Sequence, residues 1–247
     1  MALKHVRETY EKLGADDPLY AVLSFQDAKG NRWDPEAFFA RGRDEITSAL
    51  GFVSNLGLEP RRGRALDFGC GAGRLTQALC EEFDKVVGID ISSTMIETAE
   101  RFNRHGERCR YIVNTGSRLP MLEGASIDFV YSNITLQHVP PEASTQYIVE
   151  FVRVLKPGGV ALFQLPDGPY HQQGSLGERW YAFRRGPMKR FWKKIRGKPP
   201  VEIHYVNRRK VTEVVESAGG TVVEIRNDET ARRKRKSLFY TVVASAP

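Results

Sequence analysis

Cysteine is scarce in this sequence. Its three cysteines, Cys70, Cys80 and Cys109, show no CxxC spacing and lie near no cluster of histidines. An odd number of cysteines without such spacing indicates neither a disulfide framework nor a zinc site. We therefore expect three reduced thiols and no bound metal.

Long apolar runs are missing as well. No stretch of the 247 residues approaches the roughly 18 consecutive apolar residues of a membrane span. The first segment, "MALKHVRETYEKLG", carries charges where a signal peptide needs an apolar core. We expect a cytoplasmic protein, and a peripheral position at an anionic membrane surface is kept open as an alternative.

The overall composition fits one α/β domain. Hydrophobic residues make up 41% of the chain, which is enough to bury a sizeable core. The net charge of +7 suggests an anionic partner or surface, although many solvated proteins are equally basic. Where the charge lies is therefore more informative than its sum.

Alternating strand and helix patterns begin near residue 63. The segments "RALDFGC", "KVVGIDI", "RYIVN", "SIDFVYSN" and "VALFQLP" are typical of buried strands, and helical spacing recurs between them. This alternation predicts a doubly wound, Rossmann-like sheet that is mostly parallel and covered by helices on both faces. After a last predicted helix, "NRRKVTEVVESAGG", the segments "TVVEIR" and "SLFYTVVAS" are predicted to form an antiparallel hairpin that closes the sheet.

Residues 1–60 are predicted to form a helical cap. In "WDPEAFFARGRDEITSALGFV", Asp34 is a predicted N-cap before Pro35, and apolar residues recur as a stripe. We expect this helix to pack against the sheet and to cover its open edge. The preceding "DDPLYAVLSFQDAKGN" has the composition of a loop.

The most informative stretch is "ALDFGCGAGRLT", which places Gly69, Gly71 and Gly73 directly after the first strand. Glycines there let the backbone approach a ligand, and the next helix offers unpaired N–H groups. The third glycine of the dinucleotide pattern GxGxxG would fall on Arg74. Asp67, at the strand end, would repel a pyrophosphate and attract an ammonium or sulfonium group. The loop therefore favours a cationic, phosphate-free nucleotide.

Asp90 ends the second predicted strand, 17 residues after Gly73. An acidic side chain at this place can accept hydrogen bonds from both hydroxyls of a ribose. Its presence fits any cofactor that contains a ribose.

With these motifs the chain resembles the class I S-adenosylmethionine-dependent methyltransferases of the type-11 group, over about residues 63–165 and more loosely to residue 247. "LDFGCGAG" is similar to the glycine motif of the family and "VVGIDIS" to its ribose-binding acid. "SIDFVYSNITLQHVP" resembles the fourth-strand motif, and "RVLKPGGVALFQ" the helix, turn and strand that follow it.

The resemblance implies S-adenosylmethionine as cofactor, S-adenosylhomocysteine as product, and a set of binding residues. Asp67, Gly69 and Gly71 would line the aminocarboxypropyl end, and Cys70 and Gly73 are counted with the same cofactor-binding loop. Asp90 would bind the ribose, and Asn133 would lie close to the methyl group. Ile91 and Met95 would contact the adenine, although Met95 suits the core equally well. Cys70 is given no chemistry, since a small buried residue fits a tight turn.

The sequence departs from the family at the adenine amino group. Members often have an acidic residue before a leucine-proline pair, and this chain has "NTGSRLP". Backbone groups of Thr115, Gly116 and Ser117 are expected to take over that contact.

Methyl transfer needs mainly alignment, which can supply about 7 to 11 kcal/mol, and a base only for a protonated acceptor. His138, in the loop after the fourth strand, is the first candidate base, with fixation of that loop through a backbone hydrogen bond as its alternative. His171 and His204 flank the segment after the fifth strand and are further candidates. No DPPY-like stretch and no Pro-Cys pair accompanies the fourth strand, which argues against adenine-N6 and cytosine-C5 acceptors.

Residues 166–206 are an insertion rich in cations and aromatic rings, "RWYAFRRGPMKRFWKKIRGKPPVEIH". If its centre is helical, Phe191 and Trp192 share one face and the cations the other, as in interfacial helices. The same residues could instead bind nucleic acid, close a lid over an anionic acceptor, or form only a solvated basic surface. A second basic run, "ARRKRK", adds little beyond charge.

Together these features predict a single domain with four parts. They are a helical cap at 1–60, a cofactor-binding core at 61–165, the basic aromatic insertion at 166–206, and a helix with a hairpin at 207–247. The predicted activity is methyl transfer to an oxygen or nitrogen of a small, anionic or lipid-linked acceptor. An RNA methyltransferase, a non-catalytic cofactor-binding protein and, more distantly, a nicotinamide dehydrogenase are the alternatives.

Overall fold

One seven-stranded sheet organises residues 2–168, 201–228 and 237–245, which are the residues that the computed structural model describes. Its strands are β1 (Arg64–Phe68), β2 (Lys85–Asp90), β3 (Cys109–Val113), β4 (Ile127–Ser132), β5 (Leu155–Pro166), β6 (Gly220–Asn227) and β7 (Ser237–Ala244). Their order in the sheet is β3-β2-β1-β4-β5-β7-β6. The first five strands are parallel, and β7 is antiparallel to both β5 and β6. The predicted parallel sheet with an antiparallel hairpin is confirmed.

Helices cover both faces of this sheet. In the described ranges they are α1 (Ala2–Asp16), α2 (Pro18–Val22), α3 (Pro35–Asn55), α4 (Arg74–Glu82), α5 (Ser93–Arg101), α6 (Pro141–Val154) and α7 (Arg208–Ser217). Apolar side chains of α3, α4 and α5 share one core cluster with the sheet. Those of α6 and α7 join the cluster on the opposite face. None of these helices is long and apolar enough to cross a membrane.

Helix α3 packs against one face of the sheet, as expected. Asp34 caps it, since its carboxylate accepts the N–H of Ala37 at 2.8 Å. Ile46 belongs to the same core cluster as Phe129 of β4, in the middle of the sheet. Phe52 of the same helix reaches the edge strand β6, where the guanidinium carbon of Arg226 lies 3.6 Å from the centre of its ring.

The segment expected to be a loop contains helix α2 and a 3₁₀ turn at Gln26–Ala28. Asp17 and Pro18 explain the helix, because an aspartate before a proline is a favourable N-terminus. Asp17 is itself buried, and its second carboxylate oxygen accepts the N–H groups of Gly30 and Asn31 at 2.6 and 2.9 Å. The same carboxylate thus fixes both the helix start and the turn that follows.

Most of the basic insertion, residues 169–200, lies outside the described residues, and so does the "ARRKRK" run at 231–236. The end of the insertion is described. The N–H of His204 donates to the carbonyl of Gln137 at 2.7 Å, and that of Val206 donates to the carbonyl of Pro166 at 3.0 Å. Residues 204–206 are therefore bonded to the loop after β4 and to the end of β5.

Candidate functional site

A cavity of about 820 Å³, counted with its open mouth, lies where β1, β2 and β4 end. Phe68, Asp90 and Asn133 line it from these three strand ends. The carboxyl ends of parallel strands are the usual place for ligands in such sheets. Helices α1 and α2 lie over the cavity and contribute Tyr10 and Val22 to its wall.

The glycine loop forms one wall of the cavity through Gly69 and Gly71. Gly69 has a φ of +78°, and a Cβ there would lie 2.1 Å from Cγ2 of Thr135. Only glycine fits such a position, because the left-handed backbone and the close neighbour both exclude a side chain. Gly73 precedes α4 and packs against Tyr111, away from the cavity. Cys70 is buried within the loop and does not line the cavity.

Asp90 lines the cavity and is held by two backbone donors. Its Oδ2 accepts the N–H of Gly71 and its Oδ1 the N–H of Ser92, both at 2.9 Å. Burial raises the pKa of this carboxyl group above its ordinary value, although the hydrogen bonds from Ser92 and Gly71 oppose the shift. A carboxylate has about four acceptor positions. Asp90 therefore keeps acceptor capacity for a hydroxyl group of a ligand.

Asp67 differs from its prediction, because it does not line the cavity. Its Oδ2 accepts the hydroxyl of Thr76 on α4 at 2.6 Å, and its Oδ1 has no hydrogen-bond partner among the described residues. The Thr76 hydroxyl explains this orientation, since it is a donor directly beside the strand end. Burial raises the pKa of Asp67 to about 7. A direct contact of Asp67 with a positively charged ligand group stays a prediction.

The five residues predicted to lie around the adenine are divided between two cavities and a hydrogen-bonded carbonyl. Ile91 and Met95 line the cavity, and Met95 is at the same time almost fully buried. Thr115 and Ser117 line a different, neighbouring cavity instead.

Gly116 is also engaged elsewhere, since its carbonyl accepts the hydroxyl of Tyr147 and the side-chain amide of Asn114. Asn114 and Tyr147, which the sequence interpretation missed, line the main cavity in place of these three residues.

Helix α1 was not predicted to be part of the site. Leu3, Val6 and Tyr10 face the cavity from it, and their spacing of three and four residues is the signal that could have revealed an apolar stripe. Glu11, next to this stripe, accepts the N–H groups of Ser93 and Thr94 at 2.9 and 3.0 Å. Burial opposes ionisation of Glu11, but these hydrogen bonds outweigh it and lower its pKa to about 2. An ionised Glu11 thus joins α1 to the start of α5.

Of the candidate bases, His138 lines the main cavity. Its Nδ1 lies 2.9 Å from the carbonyl oxygen of Glu202, so Nδ1 carries the proton. In the neutral ring Nε2 then accepts the side-chain amide of Gln137 at 3.0 Å. Tyr10 packs edge-on against the ring, with the centroids 5.8 Å apart. These contacts are those expected of a histidine that fixes its loop, and a role as base stays a prediction.

The two other predicted histidines lie elsewhere. His204 lines a separate cleft, in which its Nε2 is 3.6 Å from a carboxylate oxygen of Glu202. His171 lies outside the described residues. All three cysteines are buried and free. Across residues 2–168, 201–228 and 237–245, no group of three or more His, Cys, Asp or Glu could hold a metal ion.

Comparison with known proteins gives a family match and relatives for this arrangement. A family described as "Methyltransferase domain" matches residues 66–163. The ubiquinone biosynthesis O-methyltransferase of Hahella chejuensis is 32% identical over 146 residues, which are 59% of this chain and 60% of that protein. The trans-aconitate 2-methyltransferase of Variovorax paradoxus is 34% identical over 139 residues, or 55% of this chain and 50% of that one. The chain thus spans less than two thirds of the length of either relative.

The fold also has a match among solved structures. The magnesium protoporphyrin IX methyltransferase of Synechocystis PCC 6803, with S-adenosylhomocysteine bound, superposes with a TM-score of 0.63. The alignment covers 99% of this chain and 100% of that one, at 18% identity. At this identity the likeness concerns the fold.

Proposed function

The chain belongs to the class I S-adenosylmethionine-dependent methyltransferases, and from this premise we propose that it methylates an oxygen or nitrogen of a small acceptor. The acceptor we propose is anionic or lipid-linked. One observation carries the proposal. Asp90 at the end of β2 and Gly71 in the loop after β1 both line the cavity, and the N–H of Gly71 fixes the Asp90 carboxylate, which can still accept hydrogen bonds from a ligand.

The residues at the cavity fit S-adenosylmethionine. Asp90 would bind the ribose hydroxyls, because it lines the cavity and its carboxylate retains acceptor capacity there. Ile91 and Met95 would pack against the adenine as an apolar wall. Gly69 and Gly71 line the cavity without side chains and would let the aminocarboxypropyl chain approach the backbone closely. When bound, the cofactor supplies a methyl carbon activated by its attachment to a sulfonium.

The chain's own contribution to the reaction is alignment and exclusion of water. Helices α1 and α2 roof the cavity with Tyr10 and Val22, and we propose that residues 1–60 serve as the cap of this single domain in that way. Orientation of an acceptor within near-attack distance can supply about 7 to 11 kcal/mol, so no base is required for an ionised acceptor. The contacts of His138 with Gln137 and Glu202 favour a role in fixing the loop after β4.

The names of the relatives favour an oxygen acceptor on a small anion. One relative is named as an O-methyltransferase of ubiquinone biosynthesis and another as a methyltransferase of trans-aconitate, a carboxylate. The lipid-linked alternative rests on the basic aromatic composition of residues 166–206 alone.

The first experiment separates cofactor binding from catalysis. We expect S-adenosylhomocysteine to raise the melting temperature of the protein and NADH to leave it unchanged. The reverse result would contradict the proposal.

The second experiment identifies the acceptor. The protein is incubated with methyl-labelled S-adenosylmethionine and either a panel of small carboxylates or fractions of a cell extract. We expect label in a small, acidic product. Label in the RNA fraction, or binding without turnover in every fraction, would contradict the proposed acceptor.

A further inference from the structure

Glu45 on α3 is the centre of a hydrogen-bond network beside the cavity. Its Oε1 accepts the hydroxyl of Tyr131 at 3.0 Å and the side-chain amide Nδ2 of Asn133 at 2.8 Å. Its Oε2 accepts Nη2 of Arg74 at 2.8 Å. Arg74 is 4% exposed and Glu45 25% exposed, so this ion pair is largely shielded from water.

Close packing of two helices brings Glu45 to this position. Gly42, one turn before Glu45, lies against the start of α4, where a Cβ would be 2.4 Å from the carbonyl oxygen of Arg74. The absence of a side chain at Gly42 therefore lets α3 approach α4 closely. Arg74, at the start of α4, also bonds to the backbone of α3, since its Nη1 donates to the carbonyl of Arg41 at 3.2 Å.

The network fixes which way the amide of Asn133 faces. A carboxylate only accepts hydrogen bonds, so the atom of Asn133 that faces Glu45 is the donor Nδ2. The amide group is planar, and Oδ1 therefore points away from Glu45. Oδ1 is buried and accepts no hydrogen bond from the described part of the chain. Asn133 also lines the cavity at the end of β4.

We propose that Glu45 is a positioning residue that holds the Asn133 amide with its Oδ1 toward the cavity, as an acceptor dipole for the positively charged end of the cofactor. This inference rests on the proposed function. A preorganised carbonyl dipole stabilises a nearby cation, whereas the NH₂ side of the same amide would repel it. The arrangement favours the sulfonium of S-adenosylmethionine over the neutral thioether of S-adenosylhomocysteine.

The variant Glu45→Gln tests this orientation directly. A glutamine offers one oxygen and one NH₂, and the charged guanidinium of Arg74 will take the oxygen. The glutamine NH₂ then faces Asn133, whose amide turns over and presents its own NH₂ to the cavity. The positioning role therefore predicts that Glu45→Gln is worse than simple removal of the amide in Asn133→Ala.

The measurement is the ratio of the dissociation constants of S-adenosylhomocysteine and S-adenosylmethionine, by calorimetry. We expect the preference for S-adenosylmethionine to fall about tenfold in Glu45→Gln and less in Asn133→Ala. The double variant should return to the value of Asn133→Ala, because no amide is left to be misoriented. Tyr131→Phe, which removes another donor to the same Glu45 oxygen, is the matched control and should keep the wild-type preference.

Two results would overturn the inference. One is a loss in Glu45→Gln that persists in the double variant, since Glu45 would then act through its own charge. The other is an equal weakening of both ligands by Glu45→Gln, which a general structural defect produces. If the wild-type protein binds neither ligand, the proposed function fails. The orientation of the Asn133 amide can then still be tested by NMR.

The orientation can also be tested in the wild-type protein by NMR, whether or not the variant folds. The side-chain NH₂ signals of Asn133 are identified by their loss in Asn133→Ala. We expect one of the two protons to exchange slowly with solvent, because it is bonded to Glu45. Exchange of both protons at the rate of a free amide would contradict the proposed orientation.

Discussion

Asp90 accepts the backbone N–H of Gly71 at 2.9 Å, which joins the acid that ends β2 to the glycine loop that follows β1. The same carboxylate lines the cavity. A ligand that binds Asp90 is therefore aligned with the glycine loop, because the two cannot move independently.

Replacing Asp90 by Asn should weaken binding of S-adenosylhomocysteine by about 1.5 to 3 kcal/mol. An amide has one acceptor oxygen, so it cannot serve both Gly71 and Ser92 and also bind two hydroxyls. Calorimetry measures the effect. Asp84→Asn, an exposed position just before the other end of β2, is the control and should bind normally. Wild-type affinity in Asp90→Asn would show that the ribose binds elsewhere.

Gly69→Ala and Gly158→Ala form a matched pair. Both glycines have a positive φ, +78° and +75°, but a Cβ at Gly69 would meet Thr135 whereas one at Gly158 would meet nothing within 4 Å. The left-handed backbone alone costs roughly 1–2 kcal/mol in either variant. We expect Gly69→Ala to lose more unfolding free energy than Gly158→Ala in urea titrations, and to lose ligand binding as well. Equal behaviour of the pair would mean that the loop moves to admit a side chain.

His138→Asn separates the two roles of this histidine. An asparagine can still donate an N–H to the carbonyl of Glu202 but cannot act as a base, whereas His138→Ala loses both functions. Because both ring nitrogens are engaged, we expect His138→Asn to keep kcat within about tenfold of wild type, less than the hundredfold or greater loss expected for a base. His138→Ala should raise the KM of the acceptor. A loss of kcat of a hundredfold or more in both variants would identify His138 as the base.

Asp67 should make stability fall between about pH 4 and pH 7. Its pKa rises from 3.8 to about 7 on folding, because burial disfavours the carboxylate. The folded protein therefore holds the proton that the unfolded chain releases, and the free energy of unfolding decreases as the pH rises through this window. The variant Asp67→Asn should lose this slope. Urea titrations of both proteins between pH 4.5 and 8 test it, and parallel pH profiles would show that Asp67 is ionised throughout.

Features set by short stretches of sequence could be predicted. The five parallel strands and the hairpin follow from local apolar patterns and the glycines between them. Gly69 and Asp90 could be identified because their roles depend on their distance from a strand end, which the sequence shows.

Features set by distant contacts could not be predicted. Glu11 binds Ser93, 82 residues away in sequence, and no local pattern indicates that pairing. Asn114 replaces Thr115 at the cavity because the turn after β3 directs the next residues elsewhere. Asp67 faces Thr76 because that hydroxyl happens to be its nearest donor, which depends on how α4 sits on the sheet.

Strand β7 follows β6 in the chain but lies between β5 and β6 in the sheet. During synthesis on the ribosome, β6 therefore emerges before the strand that will be its neighbour. The edge of β5, which later pairs with β7 from Val160 to Pro166, remains open until then. An open strand edge is a template for pairing with other chains. Insertion of β7 is thus the late step that covers the edge of β5 in a nascent molecule.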